Sequence, residues 1–232
     1  MLNYGRHWLD DDDIRAVTNL LKSGPLTQGP RVGDLEAKFS AYVGARFAVA
    51  VSNGTSALHM ACLAAGIGPG HTVITSPNTF VASANCVIYA GGTPAFSDID
   101  PVTLNIKPES VETECMRLGN VKAIIPVHFA GLSCEMPRIR TIAQEIGATI
   151  IEDACHALGG NHPDGSRIGS CRYSQMAVFS LHPVKSITSG EGGVVTTNDE
   201  QLYRQLLRLR GHGINKLDDP LVCPDEGYTE DK

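Results

Sequence analysis

The chain has 232 residues, is 42% hydrophobic and carries a net charge of −6. That is enough apolar material for one sizeable core or one large domain with an appendage. The acidic balance and the lack of a basic stripe exclude an electrostatic footprint for nucleic acid. No apolar run reaches the roughly 18–20 residues of a membrane span, and no leader pattern opens the chain. The seven cysteines form no CxxC pair. Scattered thiols without a secretory signal predict reduced cysteines in a cytoplasmic protein, and the histidines add no ligand spacing with them, so no metal is expected.

In chain order, residues 10–23 and 32–43 read as helices, joined by the Gly/Pro-punctuated loop "SGPLTQGP". The acidic run Asp10–Asp13 reads as N-terminal capping of the first helix. Seven short β-branched runs follow: "FAVAVS" (47–52), "TVITS" (72–76), "PAFSDI" (94–99), "KAIIPVH" (122–128), "TIIED" (149–153), "MAVFS" (176–180) and "GVVTT" (193–197). Segments long enough for a crossover helix separate the first five. This predicts an α/β fold: a mostly parallel seven-stranded sheet with helices on both faces. The last two runs are joined by a short Gly/Ser/Thr-rich loop, which predicts an antiparallel seventh strand. Residues 199–210 read as a closing helix, and periodicity is lost beyond it.

Four stretches carry chemical groups to strand ends. In "VSNGTSALHMA" a strand runs into Asn53-Gly54-Thr55-Ser56 and then a helix. Free N–H groups at a helix start, with neighbouring hydroxyls, suit an anion such as phosphate; a plain N-cap is the other reading. In "SPNTFVASANC", Phe80 follows a strand end, as a platform for a flat ring or as an ordinary core aromatic. In "TIIEDACHALGG", Asp153 ends a buried strand, where open α/β sheets bind ligands, and His156 follows; Asp153 could hold a protonated ring nitrogen or cap a helix, and His156 could simply be packed. In "FSLHPVKSIT", Ser180 ends a strand and Lys185 lies in the loop after it, where an amine can condense with an aldehyde. Pyridoxal 5′-phosphate (PLP) is the one ligand that uses all four: phosphate, ring, pyridinium nitrogen and aldehyde carbon.

Taken as an ordered set, "YGRHWLDDDDIRAV", "LTQGP", "SNGTSALHMA", "TFVASANC", "IEDACHALGG", "FSLHPVKSITSGEGG" and "RGHGI" resemble the motifs of the DegT-type nucleotide-sugar aminotransferases from about Tyr4 to Ile214. The resemblance implies the large domain of a fold-type-I PLP aminotransferase, with Lys185 as the catalytic lysine. It implies that Asp153 meets the pyridine nitrogen, that Gly54, Thr55 and Ser56 with Ser180 hold the phosphate, that Phe80 stacks on the ring, and that His156 lies near the phenolic oxygen. It further implies a homodimer acting on a UDP-4-keto-6-deoxy-N-acetyl-hexosamine, with L-glutamate as amino donor.

The family's C-terminal small domain has no counterpart here. The expected organisation is an N-terminal arm and helix (1–30), a PLP-binding large domain (31–214) and an irregular tail (215–232). The helices at 10–23 and 199–210 are then expected to leave apolar faces partly uncovered. Two other readings stand beside the aminotransferase. Some relatives are PLP-dependent sugar dehydratases, in which His replaces the lysine, and Lys185 argues against that. A shortened, inactive remnant could serve as a binding or regulatory partner of a full-length homologue.

Overall fold

A computed structural model describes residues 5, 7–27 and 29–214. Helix α1 (Asp11–Ser23) opens on a reciprocal capping box. Asp10 Oδ1 accepts the backbone N–H groups of Asp12 and Asp13 at 2.9 and 3.0 Å, and Asp13 Oδ2 accepts that of Asp10 at 3.2 Å. The acidic run is therefore a cap, and its charges favour the positive end of the helix dipole. Helix α2 (Pro30–Val43) starts two residues earlier than expected because Pro30 serves as its first residue, needing no N–H there. Its stop is Gly44, at φ 78°.

The sheet is formed by β1 (Phe47–Val51), β2 (Thr72–Thr75), β3 (Thr93–Phe96), β4 (Val121–Ile125), β5 (Thr149–Asp153), β6 (Met176–Ser180) and β7 (Gly193–Thr197). Its spatial order is β1-β7-β6-β5-β4-β2-β3. All neighbours pair in parallel except β7, which is antiparallel to both β1 and β6. Four strands end earlier than the sequence suggests, β1 and β2 by one residue and β3 and β4 by three. Pro126 has no N–H to donate and ends β4, while beyond β3 the chain turns on Asp100, whose Oδ1 accepts from Val102 and Thr103 N–H at 3.0 and 2.7 Å.

Strand alternation divides the core. One face packs under α3 (Gly54–Ala64), α4 (Ala82–Tyr89) and α7 (Glu200–Arg210), burying Leu58, Cys62, Val87, Ile125, Ile151, Val178 and Leu206. The other lies under α2, α5 (Pro108–Leu118) and α6 (Met136–Ile146), burying Phe39, Val111, Ile124, Ile139, Ile150 and Phe179. The α7 face is covered in part: Leu206 is fully buried and Leu202, Tyr203 and Leu207 pack on the core half-buried, while Leu209 is exposed. The α1 expectation holds, with Ile14, Val17 and Leu21 exposed. Among the described residues no helix is long and apolar enough to cross a membrane.

The parallel strands end at one edge of the sheet, and β7, running the other way, begins there. Gly193 at its start faces the Asn53–Gly54 turn. A Cβ at 193 would lie inside contact distance of the Asn53 carbonyl and 2.9 Å from Gly54 N. Both obstacles are backbone, so the turn itself must move. Gly193→Ala is expected to lower stability by about 1–3 kcal/mol, the usual cost of overpacking, read as a fall in the urea midpoint. An unchanged midpoint contradicts this close approach.

Candidate active site

The strand ends converge on a cavity of about 610 Å³, within the range of small-molecule sites. Gly54, Thr55, Phe80, Asp153, His156, Ser180 and Lys185 all border it. They come from the segments after β1, β2, β5 and β6. Lys185 sits in a turn closed by its own N–H to His182 O at 2.9 Å. The loop around it is pinned to the sheet through Leu181, whose N–H reaches Gly192 O at 2.8 Å and whose carbonyl accepts from Thr188 Oγ1 at 2.9 Å.

Helix α3 begins at Gly54 because Asn53 caps it, its Oδ1 taking the Ser56 N–H at 2.8 Å. The N–H groups of Gly54 and Thr55 have no carbonyl of their own helix to bond, and they start the helix at the cavity wall. Ser56 does not border the cavity, unlike the other predicted residues. Its N–H is spent on Asn53, and its hydroxyl accepts from Ser52 at 3.0 Å. Glycine is required at 54, where a Cβ would stand 3.0 Å from Ser180 Cβ and 3.3 Å from Cys155 Sγ. Phe80 is 69% exposed, so it is a wall of the cavity and not a core aromatic.

Asp153 is 5% exposed at the end of β5. Its Oδ2 accepts from Ser83 Oγ at 2.6 Å and its Oδ1 from Cys155 N–H at 3.1 Å. The His156 ring is held below the ordinary imidazole range by burial, reinforced by the Lys185 charge and opposed by Asp153. It is therefore neutral at pH 7. Burial pushes the Cys155 thiol up, with Asp153 adding to the effect, so this cavity-lining cysteine stays protonated.

These residues fit PLP. The helix start, with the Thr55 and Ser180 hydroxyls, offers donors for a phosphate. The buried carboxylate offers an acceptor for a ring N–H, the amine a partner for an aldehyde, and Phe80 an apolar face. Sequence reasoning missed Phe129, His182 and Glu191, which also border the cavity, and the Ser83 contact to Asp153.

It also missed a buried cluster behind the site. Glu152 precedes Asp153 and so faces the opposite side of the sheet. Its Oε2 lies 2.8 Å from His128 Nε2, and its Oε1 accepts from Ser174 Oγ at 2.5 Å. Cys134 N–H donates to His128 Nδ1 at 3.1 Å, which leaves the ring proton on Nε2, donated to Glu152. Burial alone raises the Glu152 carboxyl, but the His128 and Ser174 hydrogen bonds outweigh it and hold the group below its usual 4.5. No sequence signal pairs residues so far apart in the chain.

The fold and this constellation define the large domain of a PLP-type aminotransferase. The chain belongs to the DegT/DnrJ/EryC1/StrS aminotransferase family, whose sequence profile it matches over residues 8–223. It is 44% identical over 215 residues to the spore coat polysaccharide biosynthesis protein SpsC of Bacillus subtilis, covering 93% of this chain and 54% of SpsC. Among solved structures it is similar to Helicobacter pylori PseC, an aminotransferase involved in pseudoaminic acid biosynthesis, at 33% identity and a TM-score of 0.84, covering 93% of this chain and 57% of PseC. The PMP form of the putative sugar aminotransferase Spr1654 of Streptococcus pneumoniae gives 27% identity and a TM-score of 0.87 over 94% of this chain and 59% of that one. The chain thus spans between half and three fifths of the length of these relatives.

Glu152→Ala is expected to cost about 1–3 kcal/mol, since it leaves the buried His128 N–H without its acceptor, whereas Glu152→Gln, which can still accept from His128, loses less. Because the folded Glu152 titrates below 4.5, its contribution is present above that pH and is lost as pH falls through the lower folded value. An acid-unfolding profile should therefore be flatter below pH 4.5 in Glu152→Ala than in wild type, and identical profiles refute the assignment.

Proposed function

We propose that this chain provides the PLP site of a nucleotide-sugar aminotransferase that aminates C4 of a UDP-4-keto-6-deoxy-N-acetyl-hexosamine, with L-glutamate as amino donor. The particular reaction we assign is that of UDP-4-amino-4,6-dideoxy-N-acetyl-β-L-altrosamine transaminase, in pseudaminic acid biosynthesis. The observation that carries the reading is that a lysine amine and a buried strand-end carboxylate border one cavity, with an anion-binding helix start beside them. The likenesses to PseC and SpsC support the sugar assignment, and the homodimer is proposed on the family's pattern.

PLP, when bound, supplies an aldehyde carbon that takes up an amine and a conjugated ring that accepts electron density. The Gly54 and Thr55 N–H groups, with the Thr55 and Ser180 hydroxyls, hold its phosphate. Phe80 covers the ring and shields it from water. Asp153 accepts the N–H of the ring nitrogen and so favours the protonated ring. His156, being neutral, can donate toward the phenolic oxygen without adding charge.

Lys185 would hold the aldehyde carbon, and its amine would be the group that moves the proton at the amine-bearing carbon. As a free amine it takes that proton, and as an ammonium it returns it one atom away. A histidine at this position, as in the dehydratase relatives, would lack the primary amine, which is why Lys185 favours transamination.

Borohydride reduction of the PLP-loaded protein should leave a pyridoxyl group on Lys185, located by peptide mass spectrometry; a label on another lysine refutes the assignment. Lys185→Ala should lower turnover at least about a hundredfold, the lower end of what a positioned proton-transfer group contributes. Asp153→Asn should retain PLP yet lose most turnover, because an amide rotated to donate opposes a protonated ring nitrogen. A near wild-type rate in Asp153→Asn would remove the carboxylate from the mechanism.

A further inference from the structure

Behind Asp153 lies a short chain of hydroxyls. Ser83 sits in the first turn of α4 and is fully buried. Its Oγ donates to Asp153 Oδ2 at 2.6 Å, a charge-assisted bond at the short end of the range. Thr79, half-buried in the β2–α4 connection and bordering the cavity, places Oγ1 at 2.7 Å from Ser83 Oγ. A serine has one proton to give, and of its two acceptors the Asp153 carboxylate at 2.6 Å is far closer than the Phe80 carbonyl at 3.4 Å, so Ser83 directs it at the carboxylate. The bond between the two hydroxyls must then run from Thr79 to Ser83, and the relay points one way: Thr79 O–H to Ser83 Oγ, Ser83 O–H to Asp153 Oδ2.

The other carboxylate oxygen is fixed as well, since Oδ1 takes the Cys155 N–H at 3.1 Å. The two thiols nearest this carboxylate stay protonated and bring no competing charge. Cys86 is pushed up by its contact with Cys62 and by burial, and Cys155 by burial. Asp153 therefore receives a donor on each oxygen from the protein side. What it presents to the cavity is lone pairs alone, which only a donor can satisfy.

We propose that Thr79 and Ser83 are positioning residues that hold Asp153 as a pure acceptor, and thereby oblige the ring nitrogen of a bound PLP to keep its proton. This deepens the reading above and rests on it, because Asp153 must first be the residue that meets that nitrogen. Loss of the Ser83 hydroxyl frees Oδ2, and the carboxyl group loses its fixed orientation. The requirement for a donor on the ligand is then relaxed. Links in such a relay strengthen one another, so the outer Thr79 hydroxyl should matter less than the inner one.

The test is 15N NMR of the protein loaded with PLP labelled at the ring nitrogen, read together with thermal melting. Wild type is expected at the position of a protonated pyridinium. Ser83→Ala, a small change at a site it cannot overfill, should melt as a folded protein with the resonance moved toward that of a neutral pyridine. Ser83→Thr keeps the hydroxyl and should restore the wild-type position, while Thr79→Val should shift the resonance in the same direction as Ser83→Ala and by less. A wild-type resonance that is protonated and unmoved in Ser83→Ala overturns this inference and leaves the PLP assignment standing. A wild type that binds no PLP, or binds it with a neutral ring nitrogen, overturns both.

Discussion

A carboxylate at the end of a buried strand governs this site. Asp153 cannot be left unpaired in a low-dielectric interior, and three directions are available to satisfy it: the next backbone N–H, the start of a neighbouring helix, and the cavity. The first two are filled by Cys155 N–H and Ser83. The third is left for a ligand that brings a positive donor. The sheet order places β5 at the centre, between β6 and β4, so the carboxylate stands among the loops that carry Ser180, Lys185 and Phe129. The strand order therefore decides which side chains can meet, and the carboxylate decides what kind of molecule can lie between them.

Adjacent residues of β5 do opposite jobs because a strand alternates faces. Asp153 turns to the α3–α4 side and borders the cavity. Glu152 turns to the other side, where His128 and Ser174 satisfy it completely. Two carboxylates one residue apart are thus kept on opposite sides of the sheet, each with its own donors. The Glu152 cluster ties the segment after β4 to β5, through His128 N–H to Asp153 O at 3.0 Å and His128 Nε2 to Glu152 Oε2 at 2.8 Å. That same segment carries Phe129 to the cavity. One network anchors the wall, and the other sets its chemistry.

Much of this was legible in the sequence. The apolar runs gave the strands, and the shortness of the connection between Ser180 and Gly193 gave the antiparallel β7. Lys185 and Asp153 were readable because strand ends in open α/β sheets are where ligands bind. Ser56 stands apart from the residues bordering the cavity, because Asn53 takes its N–H and Ser52 donates to its hydroxyl within the turn. Ser83 was invisible because its partner is 70 positions away and serine at a helix start has commoner explanations. Glu152 was hidden by the opposite effect, as an acid closing an apolar run that draws attention to its neighbour. What covers the rest of α7 was not legible, because amphipathicity tells that a helix face is covered and not by what; here α3 and the β1 side of the sheet cover Leu206.

Groups carried by separate strand ends border one cavity, and we propose that they meet on a single PLP molecule. A crystal structure of the protein grown with PLP tests it most directly. Continuous density is expected between Lys185 Nζ and the ligand, with the ring nitrogen within hydrogen-bonding distance of Asp153, the phosphate at the Gly54–Thr55 helix start, and Phe80 against the ring. A ligand seated with its phosphate elsewhere, or with its ring nitrogen turned away from Asp153, would contradict it.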